Sequence, residues 1–82
     1  MDRLTQKTEA GYSAADLPAA LERLGRFEDF YESVRDGQGA LSQELAALRD
    51  AGRQKSYEFR ERMGRKLTNT EILLRLEQFG LK

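Results

Sequence analysis

The side chains that most often carry chemistry at neutral pH are missing from this chain, which has no His and no Cys. Without them there is no general base titrating near neutrality, no thiolate nucleophile, no disulfide and no His or Cys metal ligand. Ser, Thr, Tyr, Lys and the carboxylates remain. Glu28 and Glu32 stand four apart, the helical spacing that some metal–carboxylate sites use. Such sites normally add His or a second carboxylate-bearing helix, so a solvated face is the better reading of the pair. Gly37-Gln38-Gly39 lacks the Gly-Lys-Ser/Thr of a phosphate loop and the strand that precedes a dinucleotide fingerprint, and reads as a turn. The expectation is a protein that is not an enzyme and carries no cofactor or metal.

The segment with most binding potential is basic. Between Ala51 and Leu67 stand Arg53, Lys55, Arg60, Arg62, Arg65 and Lys66 against Glu58 and Glu61, whereas Glu22 to Asp50 holds four Arg against seven acids. The formal net charge of zero therefore hides a segment at minus three followed by one at plus four. Cations around Tyr57 and Phe59 suit phosphate contact and base stacking. With Gly64 at the turn, residues 56–75 also fit part of a helix-turn-helix pattern: Phe59, Met63, Leu67 and Leu73 fall at apolar positions, with Asn69, Thr70 and Arg75 at or near the recognition helix. Arg60 stands where that motif packs a small residue, and Thr70 where it packs an aliphatic one. Three readings stay open for Arg53, Lys55, Tyr57, Arg60, Arg62, Arg65, Lys66 and Asn69: a solvated face paired to the acidic first half, a nucleic-acid site, or a site for a protein or small anion.

The elements that would hold these residues are helical. Asp16 is a good N-cap, with Pro18 tolerated in the first turn. Leu17, Ala20, Leu21, Leu24, Phe27, Tyr31 and Val34 then recur at helical spacing on one stripe that must be buried. The two glycines of 37–39 predict a break, and Leu41, Leu45 and Leu48 a second helix that returns along the first as an antiparallel hairpin. Gly52 predicts a further break, with Ser56 capping a helix that turns Phe59, Met63 and Leu67 inward; a helix continuing through 53–55 is the alternative. Thr68 and Glu71 have capping-box spacing for a last helix with Ile72, Leu73, Leu76 and Phe79 inward, closed by Gly80. The expected fold is an all-α mini-domain of about four helices (16–35, 40–50, 56–66 and 69–79). An N-terminal extended or flexible arm, 1–15, precedes it, with 16–82 as a single helical domain.

Eighty-two residues make a thin core, burying only roughly 60–65 % of the unfolded surface. Phe27, Phe30 and Tyr31 are wider than a minimal stripe, which fits core packing or self-association. A homodimer or higher helical oligomer is a reasonable expectation. The first twelve residues have no apolar run and no later stretch has membrane-span length, so the expected location is cytoplasmic, without membrane contact.

Three phrases, Arg3-Leu-Thr-Gln-Lys-Thr-Glu-Ala-Gly-Tyr12, Ala20-Leu-Glu-Arg-Leu-Gly-Arg-Phe-Glu-Asp29, and Lys55-Ser-Tyr-Glu-Phe59 with Lys66-Leu-Thr-Asn69 and Phe79-Gly-Leu81, resemble small uncharacterised proteins encoded in phages and prophages of gut Gram-positive bacteria. The opening phrase attaches to different downstream domains among such proteins, and no site residue transfers with it. The resemblance implies a bacterial host cytoplasm and one of three binding roles: transcriptional regulation, stoichiometric inhibition of a host defence factor such as a CRISPR nuclease, or sequestration of a nucleotide signal. Inhibition requires a complementary protein surface, which helical faces supply. Sequestration requires a dry pocket with convergent cations, for which Tyr57, Arg60 and Lys55 are the candidates. Protein–protein inhibition is the leading expectation, with DNA binding through 56–75 second.

Overall fold

Two helices and one small hairpin, rather than four helices, account for the regular structure in the computed structural model, which describes residues 1–81. Strands β1 (Gln6–Thr8) and β2 (Gly11–Ser13) pair antiparallel in the register Gln6 to Ser13, Lys7 to Tyr12 and Thr8 to Gly11. Helix α1 runs from Leu17 to Asp50, 34 residues, and α2 from Tyr57 to Gln78, 22 residues. Neither helix is long and apolar enough to cross a membrane. The chain falls into two compact units that meet within α1, residues 1–30 and residues from Tyr31 onward.

Local signals account for the helix ends. Asp16 caps α1 through its carboxylate, which accepts from the backbone N–H of Ala19 at 3.1 Å. At the far end Gly52 adopts φ +72°, and two backbone bonds close the terminus, Arg53 N–H to Leu48 C=O at 2.8 Å and Gly52 N–H to Arg49 C=O at 3.0 Å. This is a Schellman closure, which only glycine enters without strain. Ser56 then caps α2: its hydroxyl accepts from Phe59 N–H at 3.1 Å and donates to Arg53 C=O at 2.8 Å. Gly80, at φ +71°, closes α2 in the same way, with Leu81 N–H bonded to Leu76 C=O and Gly80 N–H to Glu77 C=O, both at 3.0 Å.

The two helix breaks expected inside these spans do not form. Gly37 and Gly39 sit within α1, and neither has a positive φ. Each costs about 1 kcal/mol relative to Ala in a helix. Against that stand Val34, Leu41 and Leu45, 7, 4 and 4 % exposed, which bracket the glycines on one face. Burying three such side chains contributes roughly 1.5–3 kcal/mol each, so the continuous helix wins. Residues 16–35 and 40–50 are therefore one helix and cannot form an antiparallel hairpin with each other. The antiparallel partner of the second half of α1 is α2: Gln38 reaches Lys66 and Thr70, Glu44 meets Arg62, and the Arg49 guanidinium lies over the Phe59 ring, 5.6 Å from its centroid.

The expected boundary between helices 56–66 and 69–79 fails for a different reason. Thr68, the expected cap, lies inside α2, and its hydroxyl donates back to the Gly64 carbonyl at 3.1 Å; Thr70 does the same to Lys66 at 3.0 Å. A hydroxyl that back-bonds to the preceding turn leaves the helix intact. The half-buried positions Phe59, Arg62, Lys66, Asn69, Leu73 and Leu76 run straight through at alternating steps of three and four. They form one seam facing the seam of Tyr31, Val34, Gln38, Leu41, Leu45 and Leu48. Gln38 is its polar layer, donating from Nε2 to Lys66 C=O at 3.1 Å and to Thr70 Oγ1 at 3.0 Å, while its buried Oε1 has no donor among the described residues.

The first unit has almost no core. Leu17, Leu21 and Leu24 are 58, 57 and 50 % exposed, so the stripe expected to be buried from Leu17 onward is half open to solvent there. The N-terminal arm is an ordered hairpin whose strand residues are all exposed. It is held by side chains: Arg3 donates to the Thr5 carbonyl at 3.0 Å and stacks over Tyr12, and Arg23 of α1 donates to the Asp2 carbonyl.

Gly39→Ala tests the continuous helix directly. A Cβ there meets nothing within 4 Å, so the substitution is expected to stabilise the chain by about 0.5–1 kcal/mol in urea melts, whereas a turn at 37–39 would make it destabilising. Gln38→Leu removes the unsatisfied oxygen and leaves Thr70 bonded to Lys66; about 1 kcal/mol of added stability is expected, and a loss would show that the amide is fully satisfied.

Candidate functional site

Helical phase divides the basic segment. Arg53 and Lys55 lie in the connection between the helices, and the other members of the segment lie on α2. Arg62, Lys66 and Asn69 fall on the seam, half-buried with Phe59. Arg62 bridges two carboxylates, donating from Nε to Glu44 at 3.0 Å and from Nη1 to Glu61 at 3.0 Å. The bond to Glu44 holds its guanidinium above the ordinary arginine value. Arg65 pairs with Glu61, and Arg53 pairs with Glu58 at 2.8 Å. Lys55, Arg60 and Lys66 make no ion pair among the described residues. Half of the six cations are thus already engaged, and the six do not share one face.

The helix-turn-helix arrangement needs a turn near Gly64, and α2 is unbroken there. Asn69, Thr70 and Arg75 therefore stand on the same helix as Phe59 and Met63, not on a second helix crossing it. The pocket suggested for nucleotide sequestration is not dry either. Tyr57 is 73 % exposed at the first position of α2, with Lys55 and Arg60 exposed beside it.

A different set comes together on the outward side of α2. Tyr57, Arg60, Gly64, Leu67, Glu71, Leu74 and Gln78 alternate in steps of three and four, and every one is exposed. Leu67 and Leu74 are 63 and 50 % exposed. Leu67 had been expected inward with Phe59 and Met63, but steps of four drift by about 40° each, so the third member swings about 80° off the face. Alternation of three and four from Tyr57 is the sequence signal that marks this outer stripe. It combines an aromatic, an unpaired Arg and two leucines, with Gly64 leaving room for close approach.

The aromatic cluster divides between the units. Phe27, half-buried, and Phe30, 48 % exposed, belong to the first, while Tyr31 belongs to the second and carries the Arg35 guanidinium 5.7 Å above its ring. Asp36 hydrogen-bonds Arg35 and raises its pKa. Glu28 and Glu32 are exposed. In the first unit an open groove is lined by Leu4, Ala19, Glu22, Arg23 and Arg26. Its cations are committed, Arg23 to the Asp2 carbonyl and Arg26 to Glu22 at 2.8 Å, which makes it a poor anion site.

Presentation of Tyr57 and Arg60 depends on the start of α2. Ser56→Ala is expected to cost about 1 kcal/mol in urea melts. The Glu58 carboxyl is held below the ordinary range by its own backbone N–H and by Arg53. The unfolded chain therefore binds this proton more readily; the stabilisation is present above the unfolded value and is lost as pH falls through the folded one. Glu58→Gln is expected to lower stability at neutral pH and to flatten its fall in acid, as read by circular dichroism melts. No protein-family model, curated protein or solved structure matches the chain, so the reading of these surfaces rests on their own geometry.

Proposed function

We propose that this chain is a non-enzymatic binding protein that works by occupying a surface of another protein with the outer stripe of α2. The observation that carries the reading is the exposure of Tyr57, Leu67 and Leu74 in line with Arg60, which makes no ion pair among the described residues. Tyr and Arg are, with Trp, the residues enriched among energetic anchors of interfaces, and leucines seven apart fit a helix lying in an apolar groove. The unpaired Arg60 calls for an acidic group on the rim of that groove.

The partner class comes from the resemblance to small phage and prophage proteins. Of the roles that resemblance implies, stoichiometric inhibition of a host defence factor such as a CRISPR nuclease, in the host cytoplasm, is the one this surface suits best. The DNA-binding reading has lost the turn it was built on, and its Arg62 and Arg65 are engaged by carboxylates.

Titration against purified RNA-guided nucleases tests this. Cleavage by the target nuclease is expected to stop at about one chain per enzyme, and the double variant Tyr57→Ala, Leu67→Glu is expected to lose inhibition while keeping its helical circular dichroism. Undiminished cleavage across the panel at large excess, together with salt-steep binding to duplex DNA, would overturn the proposal in favour of a nucleic-acid role.

A further inference from the structure

We infer that residues 17–27 of α1 pair with the same segment of a second copy of this chain, antiparallel about a two-fold axis near Glu22. Leu17, Ala20, Leu24, Phe27, Tyr31, Val34, Gln38, Leu41, Leu45 and Leu48 alternate in steps of three and four without a phase break. From Tyr31 onward this register is the seam that α2 packs upon. Gln38 pairs with Thr70, and α2 has only eight further residues after Thr70, so counting antiparallel from that pair its helix runs out near residue 30. The preceding 14 residues, about 21 Å of helix, carry the same apolar repeat, and by this count no residue of α2 is left to set against them.

The chain's own arm leaves Leu17 and Leu24 of the repeat open, while Ala20 and Phe27 are half-buried. It sits on the other flank of α1, where Leu4 borders the groove with Ala19, Glu22, Arg23 and Arg26 and where Arg23 is held by the Asp2 carbonyl. The flank of Leu17, Leu21 and Leu24 stays half open or more.

Side-chain sizes favour a copy of the same segment, reversed. Antiparallel pairing about Glu22 sets Leu17 of one chain against Phe27 of the other and Ala20 against Leu24, so each layer joins a smaller to a larger side chain. The two Leu21 side chains meet at the axis and close over the small Ala20. Parallel pairing would put Ala20 on Ala20 and Phe27 on Phe27, a void followed by a crowded layer. A two-fold contact requires such a self-complementary patch. The paired segment is only about three helical turns long, so the dimer is weak, with a Kd on the order of micromolar or above.

The chain has no Cys, so thiols introduced one at a time report the geometry cleanly. In sedimentation equilibrium the mass of the full chain is expected to rise from 9.4 kDa toward about twice that as concentration increases, and Leu24→Asp is expected to hold it at the monomer value with unchanged helical circular dichroism. Leu67→Asp, on the outer stripe of α2, is expected to leave dimerisation intact. Leu21→Cys is expected to cross-link to its counterpart on mild oxidation far faster than Leu17→Cys. A chain that stays monomeric at about 1 mM, a dimer abolished by Leu67→Asp, or cross-linking that favours position 17 over 21 would each overturn the inference. Nuclease inhibition plays no part in these readouts, so this inference and the proposed function fail separately.

Discussion

The seam between the second half of α1 and α2 has to supply most of what holds the larger unit together, because Val34, Leu41 and Leu45 are the only buried apolar side chains among the described residues. All three come from α1, and α2 answers with half-buried positions that include Arg62, Lys66 and Asn69. Every other feature is arranged around that economy. The continuous backbone through Gly37 and Gly39 exists because interrupting it would separate Val34 from Leu41. The polar layer at Gln38 is tolerated because its amide finds both a carbonyl and a hydroxyl on the facing helix. The pair of Arg62 with Glu44 and Glu61 adds orientation more than stability, since half-exposed ion pairs contribute about 0–1 kcal/mol.

That dependence also explains why the cations of the basic segment do not act as one patch. A helix packed along one seam has only its remaining faces for recognition, and the seam's phase is set by Phe59, Leu73 and Leu76. Arg62 and Lys66 share that phase and are drawn toward α1. Tyr57, Arg60, Leu67 and Leu74 are out of phase and face water. The net charge of the segment describes neither group well: one is partly neutralised by carboxylates, and the other contains a single cation.

What could be read from the residues followed the range of the interactions involved. Asp16, Gly52, Ser56 and Gly80 act within one turn of their own backbone, and each marks a helix end where it was expected. The glycines at 37 and 39 and the Thr68–Glu71 pair are equally local signals, yet the glycines lost to contacts between residues about thirty positions apart, which no local pattern reports, and Thr68 turned its hydroxyl back onto Gly64 instead of capping. The strands at 6–8 and 11–13 are too short and too exposed to leave an alternation; side chains such as Arg3 and Arg23 hold them. For the candidate site, residue types were legible and their grouping was not. Grouping depends on helical phase, and a repeat counted in fours rather than in alternating threes and fours had turned Leu67 inward.

The six-residue link between Asp50 and Tyr57 has a kinetic consequence. Leu48 and Phe59 are the seam members nearest each other along the chain, so closing that loop costs the least entropy of any contact between the helices. Pairing that begins there can advance layer by layer toward Tyr31 and Leu76, each step adding only a little to the loop already closed. Low contact order of this kind belongs to chains that fold in microseconds to milliseconds. The caps at Gly52 and Ser56, which preserve this link, therefore bear on how quickly the protein becomes competent after synthesis as well as on how stable it is.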